Sequence, residues 1–150
     1  MYYSKETTMK KIATDKMQSA ILRDMIGVES ADMYIDTNSI LDHGTKNERY
    51  YLGVLIGYCD IDYENMDKHG LIPAYTLDAL VEVICRNGAW ADFYHVDDFL
   101  GQWVCRWSKR VKGMGLVHLS RIGKTKVDAA FEVVVAIYKE GYIKEDHAER

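Results

Sequence analysis

Proline is nearly missing from this chain, with one in 150 residues, and glycine clusters only at Lys112–Gly115. A Pro- or Gly-rich linker is thereby excluded, and the composition argues against disorder. Long apolar runs are missing too. The longest, Tyr50–Cys59, is about half of the roughly 18–20 residues that a membrane span needs, and charges flank it. The first residues, M-Y-Y-S-K-E-T-T-M-K-K, lack the apolar core of a secretion signal. Residues 1–9 read as a disordered lead, with Met9, before two lysines, as an alternative start. Cysteine is scarce and unpaired in pattern. Cys59, Cys85 and Cys105 form no C-x-x-C, so neither a zinc site nor a thioredoxin-type motif is available. Each falls in an apolar segment and is expected to pack as a small hydrophobe in a reducing cytoplasm.

What is present is an ordinary globular composition, 48% apolar and 28% charged, in a length suited to one domain. Residues 10–70 read as mainly helical. A first helix over 10–28 starts at Thr14 or Asp15, with Met17, Ile21 and Met25 on one face and Gly27 near its end. Ser30 opens a shorter helix through Leu41. Thr45-Lys-Asn-Glu48 is a capping box, followed by Tyr51, Val54, Leu55 and Tyr58 at helical spacing. The β-prone side chains of that stretch pull the other way.

Residues 74–143 predict helix, three-stranded antiparallel sheet, helix, which makes the chain an α+β protein. Pro73 ends the preceding stretch, Thr76 starts a helix with Leu77, Leu80, Val81 and Ile84 inward, and Asn87-Gly88 ends it. Trp90–Val96, Gln102–Ser108 and Leu116–Ile122 are the strands, the last two joined at Lys112–Gly115. The closing helix is marked at both ends, by Thr125 with Asp128 and by Gly141. Val127, Ala130, Phe131, Val134, Ile137 and Tyr138 give it a broad apolar face.

Tyr75–Leu80, and Lys126–Phe131 with the K-E-G-Y-I of Lys139–Ile143, resemble segments of small accessory proteins of phages and mobile elements of gut bacteria. The resemblance covers the C-terminal half and its motifs are structural. It implies a viral or mobile-element setting and interference with host machinery or defence. No site residues carry over from it.

Charge is the least random feature. From Phe99 to Val127 there is no carboxylate but seven basic residues: Arg106, Lys109, Arg110, Lys112, Arg121, Lys124 and Lys126. Outside that window 12 basic residues face 23 acidic ones. Trp103 and Trp107 lie inside it, and basic groups beside aromatics on a sheet can stack a base and hold phosphate. Two readings of these tryptophans stand. Trp103, Cys105 and Trp107 share one strand face, which reads as core under two apolar helices. Arg106, Arg121 and the Lys109–Lys112 turn then make an exposed cationic patch on the other side.

Duplex DNA is not expected, since the net charge is −4 and no helix carries a basic face. Gly123-Lys124-Thr125 ends like a P-loop, but His118 stands where the first glycine belongs. The helix start there offers a generic phosphate site with Lys124. Asp60, Asp62, Glu64 and Asp67 lack the glycine and terminal glutamate of an EF-hand. His95, Asp97 and Asp98 sit together without a further ligand at metal spacing.

Three functions fit. The first is a non-catalytic accessory protein that binds and inhibits a host protein. The second is an oligomeric binder of a nucleotide-like anion, using Trp103, Trp107, Arg106, Lys109, Arg110, Lys112, Arg121 and Lys124. The third is a small metal-dependent enzyme built on His95, Asp97 and Asp98. No resident cofactor or metal and no membrane partner are expected.

Overall fold

Among the described residues of the first half of the chain there are strands as well as helices. The structure, a computed structural model, describes residues 11–36, 49–52, 70–96 and 101–140. It is an α+β fold whose internal contacts divide it into two compact units, one of residues 13–79 and the other of residues 80 onward with those before 13.

In the first unit, helix α1 (Lys16–Ile26) is opened by Asp15. Its carboxylate accepts from the Gln18 N–H at 2.8 Å, while the Gln18 side chain accepts from the Asp15 N–H at 3.1 Å. This reciprocal box satisfies two of the amides that a helix start leaves orphaned. Gly27, at φ 83°, closes the helix. The face with Met17 and Ile21 is exposed, and Ser19 and Leu22 are buried instead. A polar network sets that rotation. Thr14 and Ser19 share a buried hydroxyl–hydroxyl bond of 2.8 Å. The Thr14 N–H donates to the Tyr75 carbonyl at 3.0 Å, and the Tyr75 N–H to the Thr14 hydroxyl at 3.1 Å. Buried donors and acceptors must be paired, so Thr14 and Ser19 turn inward together.

A 3-10 turn (Val28–Ser30) and strand β1 (Met33–Asp36) replace the helix expected over 30–41. Likewise β2 (Arg49–Leu52) replaces the start of the helix expected at Tyr51. The capping box at 45–48 and the rest of that helix lie outside the described residues. β1 is central, with β2 and β3 (Leu71–Ala74) antiparallel on its two sides. Aromatic and branched residues such as Tyr34 and Ile35 suit a pleated strand, and burial alternates along β1 as a half-covered strand requires. Pro73 sits inside β3, opposite Tyr34. A residue without an N–H is tolerated there because β3 is an edge. Ala13, Met33, Ile35 and Ala74 form the apolar cluster of this unit.

Helix α2 (Leu77–Cys85) starts at Thr76, whose hydroxyl accepts from the Ala79 N–H at 3.3 Å. Asp32 holds Thr76 in turn, accepting from its N–H at 2.9 Å and from its hydroxyl. Leu80, Val83 and Ile84 are fully buried, and a 3-10 turn (Arg86–Gly88) ends the helix near the Asn87-Gly88 stop.

The second unit matches its expectation closely. Strands β4 (Trp90–Val96), β5 (Gln102–Val111) and β6 (Gly115–Gly123) form an antiparallel sheet in that order, followed by helix α3 (Lys126–Glu140). The β5–β6 turn relies on Gly113 and Gly115, both at positive φ, and the Met114 N–H closes it on the Val111 carbonyl at 3.0 Å. α3 begins two residues after β6. The Thr125 hydroxyl accepts from the Asp128 N–H at 3.1 Å and donates to the Asp128 carboxylate at 2.9 Å. The stop at Gly141 lies outside the described residues.

Candidate functional site

A β-strand alternates its side chains between two faces, so the register of β4, β5 and β6 sorts every candidate residue of the second unit. Trp107 is paired with Ala91 and Leu119, Cys105 with Phe93 and Arg121, Trp103 with His95 and Gly123, and Lys109 with Val117. This is the face under α3. A Cβ placed on Gly123 would lie 2.4 Å from the Ala129 amide nitrogen, so strand and helix meet there without room for any side chain. The opposite, open face carries the rows Tyr94–Val104–Ile122, Asp92–Arg106–Ser120 and Trp90–Ser108–His118.

The sorting separates the basic window. Trp107 and Cys105 are buried, so they belong to the core. Burial pushes the Cys105 thiol up to about 12. Trp103 is half-buried at the sheet end, with the Lys126 ammonium 4.6 Å from its ring centroid and the His95 ring edge-on at 5.0 Å. Both cationic and edge contacts of this kind suit the negative face of an indole.

Lys109, expected at an exposed tip, is 2% exposed on the covered face, and its ammonium nitrogen has no hydrogen-bond partner among the described residues. Burial pushes its pKa down from the ordinary lysine value. Arg121 also falls on the covered side, at the edge strand, and donates to its neighbour's Ser120 carbonyl at 2.8 Å. Only Arg106 and Arg110 reach the open face, with Lys112 exposed in the turn and Lys124 exposed before α3. Arg106 is moreover paired with Asp92 at 3.1 Å. The seven cations therefore do not form one patch.

The generic phosphate site fares no better. At the start of α3 the Asp128 carboxylate already accepts from Thr125 and, at 2.6 Å, from the Lys11 ammonium. An anion is built into that position. Gly123 is explained by its approach to Ala129 without any phosphate. Of the His95, Asp97 and Asp98 group only His95 is among the described residues, where no three potential metal ligands cluster. Asp60–Asp67 and Cys59 also lie outside them. Cys85 is free and exposed at the end of α2, against the expectation that it packs as a hydrophobe.

The open face brings together residues that sequence reasoning passed over. Trp90, Tyr94, Leu116 and Ile122 are 40%, 47%, 43% and 50% exposed, all on this one side. Single exposed apolar residues are normal, but four large ones on one flat face mark a contact surface. Between them lies a polar middle, the Asp92–Arg106 pair and the Ser108 hydroxyl, which shares a 2.8 Å hydrogen bond with the His118 ring. The signal was available in β4, where Trp90, Asp92 and Tyr94 alternate with Ala91 and Phe93. No protein-family model, no curated protein and no solved structure matches the chain. Among the described residues no helix is long and apolar enough to cross a membrane.

Proposed function

We propose that this chain is a non-catalytic accessory protein of a phage or mobile element, acting in the cytoplasm by docking the open face of its β4–β5–β6 sheet on a host protein and inhibiting it. The observation that carries the reading is the exposure of Trp90, Tyr94, Leu116 and Ile122 on one face. Aromatic anchors with a polar rim are the usual make-up of a binding hot spot. Arg110 and Lys112 stand exposed at one end of that face, in a stretch without carboxylates. The complementary surface thus offers apolar contacts to these four side chains around a polar middle, and acidic groups opposite Arg110 and Lys112. The test is capture from host lysate by the wild type and by the double variant Tyr94→Ser, Ile122→Ser. The expected result is one stoichiometric partner that the variant loses while its melting temperature stays unchanged. Equal capture by both proteins overturns the reading.

The second reading, a nucleotide-like anion, is favoured by Trp90 and Tyr94 sharing a face with Arg106 and Arg110. Against it, the Asp92 carboxylate stands between the two aromatic rings on β4 and already engages Arg106. A thermal-shift screen with nucleotides decides: a rise in melting temperature that Arg106→Ala abolishes would favour this reading over the first.

A further inference from the structure

An exposed apolar face is a liability in a protein that has not yet met its partner. We propose that a second copy of this chain covers the open face of the sheet until then, in a two-fold, face-to-face pair. The inference rests on reading that face as the docking surface, and it adds what occupies the surface at rest.

The order of side chains across the sheet makes the face complementary to itself. Asp92 on β4 and Arg106 on β5 are direct cross-strand partners, 3.1 Å apart and about equally exposed at 45–48%. Consider a two-fold axis parallel to the strands and midway between β4 and β5. Rotation about it lays β4 of one copy over β5 of the other, row upon row. The Asp92 carboxylate of each copy then faces the second copy's Arg106, and this happens twice. In the next row Tyr94 of each copy lies over the other's Val104 and beside its Ile122. Two rows away Trp90 lies over the other's Ser108 and beside its His118. Val104 and Ser108 are themselves buried, so Tyr94 and Trp90 of each copy meet chiefly the exposed Ile122 and His118 beside them, and each charge meets its opposite. This reciprocity is what an isologous interface requires.

Other occupants fit less well. The central carboxylate of Asp92 repels a phosphate backbone, whereas in the two-fold pair it is satisfied by two guanidinium groups. Sheets packed in this way lie about 10 Å apart, close enough for tyrosine and tryptophan to interdigitate. With the axis between β4 and β5 those two strands overlap, and two spacings of about 4.8 Å by seven residues of about 3.3 Å give a flat footprint of roughly 220 Å² per copy, with β6 at its margin. Even with the relief of the side chains that lies below the roughly 800 Å² per partner of stable specific interfaces. The pair is therefore one that dilution separates, which leaves the face available for a partner.

The experiment is a sedimentation or light-scattering measurement of mass on the full chain, from micromolar to submillimolar concentration, with charge-swap complementation. The wild type is expected to approach twice 17.3 kDa as concentration rises. D92R alone and R106D alone are each expected to stay at the single-chain mass, because like charges then face one another twice. Mixed in equal amounts they are expected to pair again, since both cross contacts are opposite in sign. Y94R, which places a charge in the apolar row, is expected to remain single and gives a second handle should either swap fail to fold. Melting curves establish which variants are folded. A wild type at the single-chain mass throughout overturns the proposal, and so does a pair that persists in Y94R or that mixing fails to restore. If the wild type is single but the double variant Tyr94→Ser, Ile122→Ser still loses a captured host protein, the docking reading stands and the self-pairing falls.

Discussion

The two faces of one three-stranded sheet use the same residue types to opposite ends. Each carries a tryptophan and a long cation. On the covered face Trp107 is 1% exposed and Lys109 is 2% exposed, its ammonium without a hydrogen-bond partner among the described residues. On the open face Trp90 is 40% exposed and Arg106 pairs with Asp92 at the surface. Composition is therefore no guide to role here. What decides is strand parity, together with whether α3 lies above. An aromatic on one side is core, and on the other it stands half-exposed.

That contrast can be broken most directly at the tryptophans. Trp107→Ala is expected to cost about 3–5 kcal/mol in denaturant unfolding, because it leaves a large cavity. Trp90→Ala is expected to cost less than about 1 kcal/mol and to weaken association instead. Similar losses for both would mean the faces do not differ. Next comes Gly123→Ala, where the new methyl meets the Ala129 backbone at 2.4 Å. Overpacking of this kind costs about 1–3 kcal/mol, and rigid backbone on the far side places it at the upper end. Chemical denaturation followed by circular dichroism measures it, and an unchanged midpoint would show that α3 does not press on β6 as described.

Lys109→Met goes the other way and is expected to stabilise by about 1–2 kcal/mol, since it removes a buried ammonium that has no hydrogen-bond partner among the described residues. The effect depends on pH in a definite direction. The folded-state pKa is lowered, so in the window between it and the ordinary value of 10.5 the unfolded chain holds more protons. Stability of the wild type therefore rises with pH through that window, and the penalty is complete below it. The advantage of Lys109→Met should shrink as unfolding is measured at progressively alkaline pH, and a constant advantage would mean the amine is not the cause. The smallest effect belongs to the open face. Arg106→Ala, which breaks a half-exposed ion pair, should change stability by no more than about 1 kcal/mol. A larger loss would mean that the pair supports the fold and is not held ready for association.

The second unit was legible because its local signals agree. Trp103, Cys105 and Trp107 alternate, Gly113 and Gly115 mark the turn, and Thr125 with Asp128 marks the helix start. The first unit was not, for two physical reasons. Met33–Asp36 and Arg49–Leu52 are four-residue strands, too short for periodicity to tell them from helix, and the pairing of Met33–Asp36 with both Arg49–Leu52 and Leu71–Ala74 is set by distant sequence. The rotation of α1 is set by Thr14 bonding to Tyr75, a contact 61 positions away that no window of local sequence contains. The site was half legible. The carboxylate-free stretch was visible, but only register shows that Lys109 and Arg121 turn away from Arg106 and Arg110, and that Trp90 and Tyr94 join the latter.

The bond between Lys11 and Asp128 spans 117 positions along the chain. On a ribosome, residue 11 is made long before residue 128, so this bond is among the last that synthesis permits. All of residues 13–79 emerge in the interval and can form their own sheet first. The strand–helix corner at Gly123–Asp128 becomes complete only when α3 is released, and Lys11 must stay available until then. A nascent chain truncated before Asp128 lacks the carboxylate to which Lys11 donates at this corner, however well its earlier residues have folded.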